Sequence, residues 1–225
     1  MSGLHVGLMV PANNTTMAIE LPAWLPPGSH CDTRKVPRGA GLLTRETVPP
    51  YVDAAIELAR GFTATTPDLI AYGCTAAGFL MGPQADAALS ARLAEVTGRP
   101  VVTTANAMIE VLHRCGAARI AVVTPYTDEV NRQLVDYLAR NDIEVARLET
   151  LGATDTASLG RITADEVDAL ARATVADDHE ALFIACSQLP THAILDGLRR
   201  DLGRPVWSSI AATAEVARTT RLAPH

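Results

Sequence analysis

Aromatic side chains make up only 4% of this 225-residue chain, and 19 Lys and Arg stand against 25 Asp and Glu, for a formal net charge of -6. The first scarcity argues against a base-stacking surface and the second against a polyanion-binding one, so nucleic acid is not an expected partner. No apolar run approaches the roughly 20 residues of a membrane span. Met1 leads directly into a strand-like segment, without a basic region followed by a long apolar stretch, so neither a signal peptide nor a membrane anchor is expected and the reading is cytoplasmic. The four cysteines, Cys31, Cys74, Cys115 and Cys186, are widely and irregularly spaced, with no CxxC or HxxxH pair. That pattern argues against a disulfide framework and against a metal site, and leaves free thiols as the chemistry to consider.

What the chain does have is an alternation of short apolar runs and helical patterns. His5-Val6-Gly7-Leu8-Met9-Val10 is a strand closed by Pro11 and the turn formers Asn13 and Asn14; residues 15–21 suit one or two helical turns before Pro22. A second strand over 32–36 leads into a Gly- and Thr-rich loop, residues 39–47, placed to cover a site. A helix is expected over 50–62, a strand over 69–72, a helix over 85–96 stopped by Gly98 and Pro100, a strand over 101–103 and a helix over 105–114. The expected fold class is α/β with mainly parallel sheets.

The second half repeats the first. Arg119-Ile120-Ala121-Val122-Val123-Thr124-Pro125 has the pattern of the first strand, and Gly98-Arg99-Pro100-Val101 returns as Gly203-Arg204-Pro205-Val206, each copy followed by hydroxyl residues and an alanine-rich helix. Cys186 lies 112 residues after Cys74, at the end of an equivalent apolar run, and the landmarks share offsets of 105 to 114. Two α/β lobes related by a pseudo-twofold axis are expected, residues 1–116 with Cys74 and 117–225 with Cys186, with the terminal helix able to pack back on the first lobe. Ligands in open parallel sheets bind beyond the carboxyl ends of the strands, which would bring both thiols to one cleft.

Each thiol follows an apolar strand and opens a small-residue turn at the start of a helix, a setting that favours thiolate. Opposed thiols suit a reaction with two faces, such as alkene isomerisation, racemisation or stereospecific decarboxylation, and none of these requires a metal or organic cofactor. Cysteine is also among the most buried residue types, and Asn14 could serve only as a helix cap.

The chain resembles the maleate cis-trans isomerase and arylmalonate decarboxylase branch of the aspartate/glutamate racemase superfamily over nearly its whole length. The residues that carry the likeness are Val10-Pro11-Ala12-Asn13-Asn14-Thr15-Thr16-Met17, Tyr72-Gly73-Cys74-Thr75, Thr124-Pro125-Tyr126 with Val130-Asn131, Leu159-Gly160-Arg161-Ile162, and Cys186. The resemblance implies that Cys74 adds to a double bond and Cys186 handles the proton. It further implies that Asn14 binds a substrate carboxylate, that Tyr126 donates to that carboxylate or to a developing enolate, and that the amides of Thr75, Ala76 and Ser187 complete anion pockets. It implies a small carboxylate substrate, no cofactor and a homo-oligomer. The chain departs from the family isomerases at Ser187-Gln188, where they carry Thr-Asn, and at Thr156, where they carry asparagine. A racemase or decarboxylase using the same thiols, and a carboxylate-binding protein without turnover, are the alternative readings.

Overall fold

Strand β1 (His5–Pro11) is buried on both faces, as its unbroken apolar sequence requires, and it is the hub of the first sheet. It pairs in parallel with β2 (His30–Val36) on one side and β3 (Leu69–Tyr72) on the other, and β4 (Val101–Thr103) adds beyond β3. The second sheet repeats this arrangement with β5 (Arg119–Thr124), β6 (Glu144–Thr150), β7 (Ala181–Ile184) and β8 (Val206–Ser208). The strand orders, β2-β1-β3-β4 and β6-β5-β7-β8, are the same topology used twice. The turns after β3 and β7, which carry Cys74 and Cys186, are therefore equivalent positions of two lobes. The computed structural model describes residues 3–39 and 41–220.

Ten helices over the described residues flank the sheets: α1 (Met17–Trp24), α2 (Val48–Ala59), α3 (Thr75–Leu80), α4 (Pro83–Thr97), α5 (Thr104–Arg114), α6 (Asp128–Ala139), α7 (Thr156–Arg161), α8 (Ala164–Thr174), α9 (Leu195–Leu202) and α10 (Ser209–Thr219). Helix α4 stops where expected, at Gly98, whose φ of 67° is a left-handed cap. Helix α2 starts earlier than its periodicity suggests because Pro49 and Pro50 fall in its first turn, where backbone N–H groups have no helical partner to lose. Its last expected turn is instead a 3-10 turn over Arg60–Thr63. Helix α1 runs through Pro22 instead of ending before it, and closes two residues later with Leu25 N–H donating to the Pro22 carbonyl. Helix α10 packs along α5 and α1, and α3 packs on α6, so the two halves share one core. No helix among the described residues is long and apolar enough to cross a membrane.

Candidate active site

The carboxyl ends of β1, β3, β5 and β7 converge on one cavity of about 50 Å³. Each strand end delivers its own residues to it: Asn13 and Asn14 after β1, Cys74, Thr75 and Ala76 after β3, Tyr126 after β5, and Cys186, Ser187 and Gln188 after β7. Arg38, Leu42 and Leu43, from the loop between β2 and α2, complete the wall with Pro11, Val130 and Leu159. The thiols are almost closed off from solvent, at 5% exposure for Cys74 and 7% for Cys186.

A lattice of side-chain hydrogen bonds joins the lobes around this cavity. Asn14 Nδ2 donates to Ser187 Oγ at 3.1 Å, and Ser187 Oγ donates onward to the Gly73 carbonyl at 2.8 Å, directly before Cys74. Gln188 accepts from the Thr15 amide through Oε1 at 2.9 Å and donates through Nε2 to Thr15 Oγ1 at 3.0 Å. Ser209, at the head of α10, accepts from Thr75 Oγ1 at 3.0 Å and from the Cys186 amide at 3.1 Å, so one hydroxyl ties the two cysteine turns together. Asn14 Oδ1 caps the start of α1 through the amides of Thr16 and Met17. With one Nδ2 hydrogen given to Ser187, the other is left for a ligand. Tyr126 is held from behind, its carbonyl accepting from Asn131 Nδ2 at 3.1 Å and Thr150 Oγ1 at 2.6 Å, and its ring meets Phe79 edge-on at 5.5 Å.

The electrostatics differ from the expectation of readily ionised thiols. Burial pushes the Cys186 thiol up to about 11, against favourable amides of Gln188 and Leu189 and the Tyr126 hydroxyl. Burial also raises Cys74, opposed by the Ala77 amide, the Tyr51 hydroxyl and the positive charge of Arg38. Cys74 stands at the N-cap of α3, where the Ala77 amide favours its thiolate although no full cap hydrogen bond to the sulfur is formed. A helix start helps a thiolate only to the extent that the sulfur stays solvated or meets its donors, and here desolvation outweighs both. Tyr126 is kept firmly protonated, first by burial and then by the two neighbouring thiols, so its hydroxyl is a donor at any ordinary pH.

A model of the arylmalonate decarboxylase family matches residues 6–224. The chain belongs to that family. Members similar to it divide between two activities. A maleate isomerase from Nocardia farcinica is 29% identical over 93% of this chain and 87% of its own length. An arylmalonate decarboxylase from Bordetella bronchiseptica is 30% identical over 77% of this chain and 73% of its own length. The fold superimposes with a TM-score of 0.87, at 25% identity and over 96% of this chain and 92% of the other, on the Nocardia farcinica maleate cis-trans isomerase in a cysteine-to-serine variant with a covalently bound succinylcysteine intermediate.

Seven residues singled out in this member of the arylmalonate decarboxylase family by sequence, Asn14, Cys74, Thr75, Ala76, Tyr126, Cys186 and Ser187, all line the one cavity. Thr156 is not among its lining residues; Leu159 of the same helix is. The departures at Ser187 and Gln188 are residues that bind the first lobe. Sequence reasoning missed Arg38, Tyr51 and Ser209. Ser209 left a trace, because hydroxyl residues follow both copies of the Gly-Arg-Pro-Val motif, and its counterpart in the first copy, Thr104, donates to the Tyr72 carbonyl at 3.3 Å. Arg38 and Tyr51 lie just outside the loop over 39–47 whose composition marked it as a cover for a site, and from which Leu42 and Leu43 line the cavity. Among the described residues no cluster of three or more His, Cys, Asp or Glu is arranged to hold a metal ion.

Proposed function

We propose that this protein is a cofactor-independent isomerase of a small unsaturated dicarboxylate, with maleate to fumarate as the reaction to test. The observation that carries this reading is the pair of thiols, Cys74 and Cys186, at one cavity and near enough for one to act on the other's ionisation. Cys74 thiolate attacks one alkene carbon. The C–S bond forms as the π pair moves to the neighbouring carbon and into its carboxylate. Tyr126 and the amides of Thr75, Ala76 and Ser187 hold the developing charge. Cys186 gives its proton to that carbon, producing a succinyl thioether, and later takes it back. Rotation about the new single bond, return of the pair to the double bond and cleavage of C–S release the trans isomer and restore the Cys74 thiolate and the Cys186 thiol. The succinylcysteine intermediate of the Nocardia farcinica relative supports this sequence of steps. Asn14 holds one carboxylate through its remaining amide hydrogen, and Arg38 holds the other.

The pair of thiols favours this over decarboxylation of an arylmalonate, since addition to an alkene uses one cysteine as nucleophile and the other as proton carrier, and both line the cavity. The decarboxylase relative keeps a second reading in view, in which the same thiols release carbon dioxide from a small alkyl-substituted malonate or exchange the α-proton of a related acid. We further read the chain as two lobes, 1–116 and 117–225, acting as a cytoplasmic homo-oligomer, since the cytoplasm keeps thiols reduced.

The test is proton magnetic resonance of the purified protein with maleate, and separately with alkyl malonates, in deuterated water. Fumarate should form from maleate, Cys74→Ala should abolish it, and Cys186→Ser should accumulate a maleate adduct seen by intact mass. Full turnover by Cys74→Ala, or carbon dioxide release with no fumarate, would overturn the isomerase reading. Saturable carboxylate binding with no product across the panel would instead indicate a binding protein.

A further inference from the structure

The reaction above needs a thiolate at Cys74, in a site that disfavours charge, and it leaves one buried polar group next to that sulfur unused. Tyr51, in α2, is 3% exposed; its hydroxyl oxygen is shut off from solvent and has no hydrogen-bond partner. Its ring lies beside Tyr72, with centroids 6.4 Å apart and planes at 53°. Its hydroxyl is near enough to the Cys74 thiol for each to act on the other's ionisation. Tyr51 also lines a second cavity of about 280 Å³ that shares Arg38, Leu42 and Leu43 with the first, so the ring forms part of the wall behind the nucleophile.

A neutral thiol is a weak acceptor, and a thiolate is a strong one. While Cys74 is protonated, the Tyr51 hydroxyl therefore has no good partner, and a buried hydroxyl left so carries a penalty. Ionisation of Cys74, with the proton leaving to solvent and the electron pair remaining on sulfur, gives that hydroxyl its acceptor. The penalty then disappears at the moment the nucleophile forms. We propose that Tyr51 is a positioning residue whose hydroxyl donates to Cys74 Sγ and holds it as the attacking thiolate.

The other groups facing Cys74 come from every neighbouring element: Arg38 from the loop, Tyr72 from β3 with Asp86 of α4 behind it, Tyr126 after β5, and Cys186 after β7. Arg38 favours the thiolate by charge. Tyr72 has a buried hydroxyl of its own without a partner, which makes Tyr72→Phe the comparison that isolates Tyr51.

This inference rests on Cys74 as nucleophile, but its test reads the thiol directly and needs no turnover, so it stands or fails separately from the choice of substrate. Alkylation of the full-length protein by iodoacetamide is followed across pH, with the labelled cysteines separated by peptide mass spectrometry. Tyr51→Phe should move the Cys74 midpoint up by about one to two pH units and slow its alkylation near neutral pH about 10- to 100-fold. The Cys186 profile should stay in place, and Tyr72→Phe should have the smaller effect. Replacement of Tyr51 by 3-fluorotyrosine, a more acidic donor that retains the ring, should lower the midpoint. An unchanged Cys74 profile in Tyr51→Phe, or equal slowing at Cys74 and Cys186, would overturn the proposal. If the phenylalanine variant does not fold, an unchanged midpoint in the fluorotyrosine protein does so.

Discussion

Ser209→Ala removes one oxygen and should disturb both lobes. Ser209 is fully buried and its Oγ accepts from Thr75 Oγ1 and from the Cys186 amide. A buried donor that loses its acceptor costs about 1–3 kcal/mol. The Cys186 amide is fixed by the backbone and takes the full loss. Thr75 can rotate its hydroxyl toward Tyr126, with which it already interacts, and takes less. The sum is about 2–4 kcal/mol, which for a chain of this size is a fall in Tm of about 5–15 °C. Urea unfolding of both proteins measures it. Loosening the Cys186 turn also displaces a thiol from its reacting position, and kcat/KM for maleate should fall about 10- to 100-fold. Ser208→Ala is the control. Its hydroxyl accepts from the Ala211 amide at 3.2 Å and from Thr191 Oγ1 at 2.9 Å, so its loss should lower stability by about 1–3 kcal/mol without the same fall in kcat/KM. Stability within about 0.5 kcal/mol of the parent, the usual range for substitutions that touch nothing important, together with unchanged kcat/KM in Ser209→Ala, would refute the claim that this hydroxyl couples the two turns.

Asp86 gives stability a pH dependence of unusual sign. It is 3% exposed, accepts from Thr103 Oγ1 at 2.6 Å, and burial raises its carboxyl from 3.8 to about 6. The folded state then binds the proton more tightly than the unfolded chain, so stability is greatest below the lower value and declines as pH rises from about 4 to about 6, by about 3 kcal/mol in all. Asp86→Asn should abolish that slope in urea titrations; a slope that persists in the variant would assign it to another group. In the wall of the active-site cavity, Arg38 donates to the Gly41 carbonyl while its Nε has no partner. Arg38→Leu should raise KM for maleate about tenfold or more, as expected for a lost charge-assisted contact. Inhibition by an unsaturated monocarboxylate should be unaffected, and equal weakening of both would remove Arg38 from recognition of the second carboxylate.

The succession of elements, the repeat and the equivalence of Cys74 and Cys186 were legible in the amino-acid order because each depends on near neighbours. Apolar runs mark the buried strands, Gly98 ends α4 by its backbone freedom, and the matching runs before the two cysteines imply matching turns. The site residues found by sequence are those on these turns, where strand ends converge by topology alone. Tertiary structure decided the rest. Asn14 meets Ser187 across 173 residues and Thr75 meets Ser209 across 134, contacts set by how one lobe docks on the other. The same docking explains Ser187 and Gln188, whose departure from the family pattern looked like a change of pocket and is also a change at the seam between lobes. It closes Cys74 and Cys186 away from water, raising both thiols where the local turn by itself would lower them. Desolvation depends on everything packed around an atom, from every part of the chain, and so it is written nowhere in the residues beside it.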